Sequence, residues 1–92
     1  MLYVWDPAKD VLNRRKHGLS LADGIPALED PNRDSWIDDR LDYGEERIAT
    51  LGMSDGPVLH VVSTEWDEET TRIISVRKAE PDEIERYDLG KS

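Results

Sequence analysis

The chain has 92 residues, a formal net charge of −9, 37% hydrophobic and 36% charged residues, and no cysteine. That length allows one domain with one small core, residues 1–92, and the lack of cysteine excludes a disulfide framework and a thiolate zinc site. Two histidines are too few for a histidine-rich metal site, no apolar run approaches membrane-spanning length, and the start, Met1-Leu2-Tyr3-Val4-Trp5-Asp6, does not read as a signal peptide, so the expectation is a soluble cytoplasmic protein.

The charge is unevenly placed. Residues 1–20 carry Lys9, Arg14, Arg15 and Lys16 against Asp6 and Asp10. Residues 21–70 carry fourteen acids against three arginines, and residues 71–92 carry five of each sign. Cations therefore concentrate at the two ends of the chain. If those ends meet in space, a basic site can exist on an acidic protein, and the acidic remainder is either a solvated face or a surface for a basic partner.

Residues 2–5 read as a short strand. Asp6-Pro7 opens a helix to His17: Asp6 is a capping residue, Pro7 suits the first helical position and Gly18 the stop. Ala8, Val11 and Leu12 share what reads as the core face, beside a polar stripe of Lys9, Asn13, Lys16 and His17. Ser20 caps a second helix, with Asp23 at the capping-box position. Leu21, Ile25 and Leu28 form its apolar stripe, and Gly24 and Pro26 make it short or kinked. Asp30-Pro31-Asn32 is a turn.

Residues 34–39 read as an edge strand, Arg40 to Gly44 as a loop, and Glu45 to Met53 as a strand. Ser54-Asp55-Gly56 is a hairpin turn with Gly56 at positive φ. Val58 to Thr64 is apolar on both faces and reads as a central strand, in which His60 is more simply a core histidine than a catalyst. Trp66 to Thr70 is an acidic turn.

The next stretch, Arg72-Ile73-Ile74-Ser75-Val76-Arg77-Lys78-Ala79, is β-branched and carries three cations. Strict alternation places Ile73, Ser75 and Arg77 on one face and Arg72, Ile74, Val76 and Lys78 on the other. It reads either as a strand with solvated ends or as the floor of a groove that aims Ser75 and Arg77 at an anion. Pro81 opens a last helix, docked by Ile84 and Tyr87 and ended by Gly90. The element order predicts an α+β domain: four antiparallel strands over residues 34–78 with strand 2–5 added, two N-terminal helices on one face, and one C-terminal helix.

Together, Trp5-Asp6-Pro7, Asn13-x-x-Lys16-His17-Gly18, Asp30-Pro31, Tyr43-Gly44-Glu45-Glu46-Arg47 with Leu51-Gly52, and Arg72-Ile73-Ile74-Ser75-x-Arg77-Lys78-Ala79 with Tyr87 resemble the BrnT family. These are toxins of type II toxin–antitoxin modules with a RelE-like fold. The resemblance covers residues 3–87 and rests on the ordered set rather than on any one piece. It implies a ribosome-independent endoribonuclease that inhibits translation, uses no metal or cofactor, and is neutralised by a BrnA-type ribbon-helix-helix antitoxin, with DNA contacted only through that antitoxin.

Carried over residue by residue, the resemblance makes Lys16, His17, Glu46, Arg47 and Arg77 catalytic candidates. Ser75, Arg72, Lys78 and Trp66 are the RNA-binding candidates. Glu46 or His17 would be the base, His17 or Lys16 the acid, and Arg47 and Arg77 the phosphate clamp, because guanidinium forks match phosphate oxygens. Arg77, Arg47 and Lys16 are expected to converge on one concave surface, with His17 or Glu46 within hydrogen-bond reach of a phosphate placed there. The chain departs from the family where it reads Thr64-Glu65-Trp66 in place of a frequent arginine, and in Gly24 and Pro26. Trp66 reads as a base-stacking platform, a lid or an interface anchor. The alternative function is a weakened toxin fold that docks an antitoxin and serves in transcriptional autorepression.

Overall fold

The computed structural model describes residues 1–38 and 44–90. The chain runs β1 (Leu2–Val4), α1 (Pro7–His17), a 3-10 turn (Leu21–Gly24) leading into α2 (Ile25–Leu28), β2 (Asp34–Asp38), β3 (Arg47–Met53), β4 (Val58–Glu65), β5 (Thr70–Lys78) and α3 (Pro81–Gly90). The expected loop over residues 40–44, apart from Gly44, lies outside the described residues, as does Tyr43. The five strands lie in the order β1-β5-β4-β3-β2. Four are antiparallel neighbours, as expected; β1 adds beside β5 in parallel. The sheet is therefore mixed, with its parallel pair formed by the first and last strands. β4 is central and β2 lies at an edge.

Local signals explain the elements. The Asp6 carboxylate accepts from the Ala8 N–H, Pro7 stands in the first turn, and Gly18 closes α1 in the left-handed region. Ser20 and Asp23 form a complete capping box over the 3-10 turn. Asp55 and Gly56 take φ of 51° and 119° at the β3–β4 hairpin; only glycine tolerates the second value easily.

The core lies between the sheet and the segment Leu21–Leu28. Leu21, Ala27, Leu59, Val61, Ile73 and Val76 are its buried members, flanked by Tyr3, Trp5, Leu19, Ile25 and Leu28. Gly52 lets α2 settle on β3: a Cβ there would stand 2.2 Å from the Ala27 carbonyl oxygen.

Three sequence expectations fail. The alternation of β5 is broken by a bulge. Val62 pairs with Ser75 but Ser63 pairs with Ile73, so Ile74 is the extra residue. Since paired residues share a face, Thr71, Ile73, Val76 and Lys78 lie on the helical face, and Arg72, Ser75 and Arg77 on the opposite one. The bulge thus unites Arg72 with Ser75 and Arg77, which strict alternation separated, and removes Ile73 from their face.

The second failure is the core face of α1. Val11 and Leu12 are exposed, and the buried residue is Asn13. α1 lies beside the edge of β5, beyond the point where β1 stops. There Asn13 behaves as a strand: its amide donates to the Val76 carbonyl at 2.9 Å and its oxygen accepts from the Val76 N–H at 3.0 Å. It also donates to the Leu19 carbonyl. A buried backbone pair must be satisfied, and a hydrophobic face cannot do that.

α3 lies against the face that bears Arg77. Tyr87 is buried and its hydroxyl donates to Asp30, whose carboxylate also accepts from the backbone N–H groups of Asn32 and Met53. Arg86 stacks 4.1 Å from the Trp36 ring centre and pairs with Asp34. Ile84, expected to dock α3 with Tyr87, is 38% exposed. No helix among the described residues is long and apolar enough to cross a membrane.

Candidate functional site

The first cluster forms where the end of α1 meets the bulged part of β5. Lys9, Leu12, Asn13, Lys16, His17, Ile74 and Ser75 line an open cavity of about 300 Å³. Asn13 fixes the distance between the two elements by holding Val76, so Lys16 and His17 are positioned by the same contact that ends the sheet. The proton affinity of His17 is lowered, first by burial and then by the positive charges of Lys16 and Arg77. Imidazolium is disfavoured there, which widens the pH range over which the ring is neutral and can act as an acceptor.

Arg77 is engaged by α3. Its guanidinium donates to both oxygens of Glu83, at 2.7 and 2.9 Å. That bidentate pair, ahead of a backbone hydrogen bond from Glu80, holds the Glu83 carboxyl down at about 2. His60 stands paired in register with Arg77, its Nε2 3.9 Å from Glu83 and its ring edge-on to Trp36. At 3% exposure His60 is a core residue, as its sequence setting suggests.

The second cluster forms at the other end of the same face. Glu45, Glu46, Ile48, Thr64, Glu65, Trp66 and Arg72 line a cavity of about 320 Å³. Thr64 donates to the Glu46 carbonyl and stands opposite Arg72 in the ladder, which brings Glu46 and Arg72 to the same level of the sheet. Trp66 is 66% exposed, and with Arg72 it also borders a second cavity lined by Val4, Trp5 and Asp6.

The expected convergence of Arg47, Arg77 and Lys16 on one surface is not what the chain forms. Arg47 and Glu46 belong to the Thr64 level of β4, Arg77 to the His60 level. Four residues of strand separate them, about 13 Å along the sheet. Lys16, His17, Ser75 and Arg77 gather at one end; Glu46, Trp66 and Arg72 gather at the other. The Arg47 side chain is largely buried, with Nη2 3.5 Å from Glu45. Lys78 is exposed on the helical face, away from both clusters.

Two residues that matter here were not singled out from the sequence. Glu83 has no reading there beyond its place in the first turn of the last helix, and Asn13 is a member of a polar stripe and of the motif Asn13-x-x-Lys16-His17-Gly18, with no role of its own. An asparagine on the inward side of a helix beside three cations was the available signal for the second; nothing in the spacing signals the first.

A family model described as the ribonuclease toxin BrnT of type II toxin–antitoxin systems matches residues 5–83. Among solved structures, the chain is similar to the 1.1 Å crystal structure of the Brucella abortus ribonuclease toxin BrnT, at 24% identity and a TM-score of 0.63, covering 87% of this chain and 99% of that one. Comparison with curated proteins found no match.

Proposed function

The chain belongs to the BrnT family of ribonuclease toxins of type II toxin–antitoxin systems, and from that premise we propose that it is a metal-free endoribonuclease that inhibits translation by cutting RNA. Membership implies an antitoxin partner; we propose a BrnA-like ribbon-helix-helix protein, with DNA reached only through it. The observation that carries the nuclease reading is the shared position of Lys16, His17 and Ser75 on one cavity, within the field of Arg77.

RNA cleavage through its own 2′-hydroxyl has three needs: a base for that hydroxyl, positive charge on the phosphorane, and an acid for the leaving oxygen. His17, neutral by its surroundings, takes the 2′ proton. The 2′ oxygen bonds to phosphorus as the bond to the 5′ oxygen breaks, leaving a cyclic phosphate. Arg77 and Lys16 hold the non-bridging oxygens, and Lys16 supplies the proton to the 5′ oxygen. Ser75 donates a hydrogen bond to the phosphate. Glu46 is too far along the sheet to be the base of the same step.

A second reading is favoured by the Arg77–Glu83 pair, which occupies the main phosphate ligand. In that reading the chain is a weakened toxin that docks an antitoxin for autorepression. Incubation of the purified chain with RNA separates the two. Cleavage that is lost in His17→Asn and in Lys16→Met, with folding intact, supports the nuclease. No cleavage by the unmutated chain assigns it to the second reading. Co-expression with a basic ribbon-helix-helix protein should give a salt-sensitive complex, since the acidic middle of the chain steers a basic partner.

A further inference from the structure

The cavity at the Thr64 end of the sheet is not used by the cleavage chemistry above, and its lining sets one arginine and an exposed indole among Glu45, Glu46 and Glu65. Glu45 is 3.5 Å from Arg47. Glu46 and Arg72 line the same cavity, yet among the described residues neither side chain closes a hydrogen bond or an ion pair; Glu46 is held only through its carbonyl, by Thr64. Opposite charges that share a cavity without closing on one another suit a ligand that carries both an anion and a row of donors.

We infer that this cavity is a guanine-selective nucleotide subsite, in which Trp66 stacks on the base, Glu46 reads its edge and Arg72 holds the adjoining phosphate. The inference rests on the nuclease reading for its place along an RNA strand, but the recognition chemistry stands on the cavity alone. Guanine presents two neighbouring donors, N1–H and the N2 amino group, to a single carboxylate. Adenine and cytosine each place an acceptor beside their one amino group, and uracil flanks its N3–H with two carbonyls. A carboxylate therefore pairs in bidentate fashion with guanine and is repelled by a lone pair on each of the others. Stacking on an indole is tolerant of base identity and supplies affinity rather than choice. The guanidinium of Arg72, on the same face as Ser75 and Arg77, continues the phosphate track toward the other cluster.

The test is binding of guanosine, adenosine, cytidine and uridine 3′-monophosphates to the full chain by titration calorimetry. Guanosine monophosphate should bind about tenfold or more tighter than the other three, the worth of one bidentate base contact. Glu46→Gln, at an exposed position, should bring the four to within about twofold, because the amide nitrogen opposes the guanine donors. Trp66→Leu should weaken all four about fivefold or more while keeping their order.

Circular dichroism of each variant reports whether the fold is kept. Equal binding of the four nucleotides, no binding, or a guanosine preference that survives Glu46→Gln overturns the inference. RNA cleavage is read separately. Cleavage without guanosine selectivity overturns the subsite and leaves the nuclease. Selective binding without cleavage supports the subsite and removes the nuclease.

Discussion

Both oxygens of Glu83 are bonded to the guanidinium of Arg77, at 2.7 and 2.9 Å. The arginine proposed to hold phosphate in the first cluster is thus already holding an anion, supplied by the first turn of α3. An incoming phosphate must displace that carboxylate or share the arginine with it. Glu83→Gln weakens the competitor while keeping its shape. Its cleavage of RNA at low substrate concentration should rise by about two- to tenfold, a change of about 0.5–1.4 kcal/mol in transition-state stabilisation. Initial-rate measurements on a short RNA check this. Its unfolding free energy should fall by about 1–2 kcal/mol, since a charge-assisted, half-buried bond is lost. A lower rate would mean that the pair orients Arg77 rather than masking it.

The same pair makes stability depend on acid. The Glu83 carboxyl is held at about 2, below its ordinary value of 4.5. A depressed carboxyl contributes stability above its unfolded value, and the contribution is lost as pH falls from about 4.5 through about 2. Tyr87 has the opposite sign. Burial and its bond to Asp30 raise its hydroxyl to about 12, so its contribution is present below pH 10 and lost as pH rises from about 10 through about 12. Thermal melts of Glu83→Gln should show a flatter acid limb, and those of Tyr87→Phe a flatter alkaline limb.

Asn13 closes three backbone groups around the β5 edge. Asn13→Ala leaves the Val76 N–H and carbonyl without those bonds in a buried setting. The expected cost is about 2–4 kcal/mol, or a fall in melting temperature on the order of 10–20 °C for a chain of this size. Asn13→Asp should be no better, because a carboxylate cannot donate to either carbonyl. Denaturant melts of both variants measure the effect. If Asn13→Ala melts within a few degrees of the unmutated chain, the side chain is not the edge cap argued here.

Legibility followed the range of the interaction. The caps, the shortness of the second helix at Gly24 and Pro26, and the hairpin at Asp55-Gly56 are local and were readable, and the central place of β4 was readable from its two apolar faces. The site was harder. One extra residue, Ile74, inverts the faces of β5 around it, and a bulge has no signature in an isoleucine pair. Asn13 points inward to satisfy an edge that exists only once β1 has paired with the far end of β5, so the apolar residues of α1 were mistaken for its core face. The candidate residues were chosen from the sequence by chemical type alone. Their division between two ends of the sheet depends on register, which the sequence of one strand does not carry.

His17 is tied to its neighbours by charge. Burial, Lys16 and Arg77 all lower its proton affinity. Removing either cation should therefore raise it, and each removal should do so without moving His17 itself. In Lys16→Met the imidazole should titrate at higher pH than in the unmutated chain, and the same direction is expected for Arg77→Gln. Proton NMR of the ring C–H signals follows this directly, with His60→Gln used to assign the two histidines. A consequence for cleavage follows. If His17 is the base, the acid limb of the pH–rate profile reports its ionisation. In Arg77→Gln, which removes the proposed phosphate ligand but neither proposed proton-transfer group, the limb should move to higher pH as the maximum rate falls by about 10²-fold or more. A titration of His17 unchanged in both variants would separate it from these cations and dissolve the first cluster as a catalytic unit.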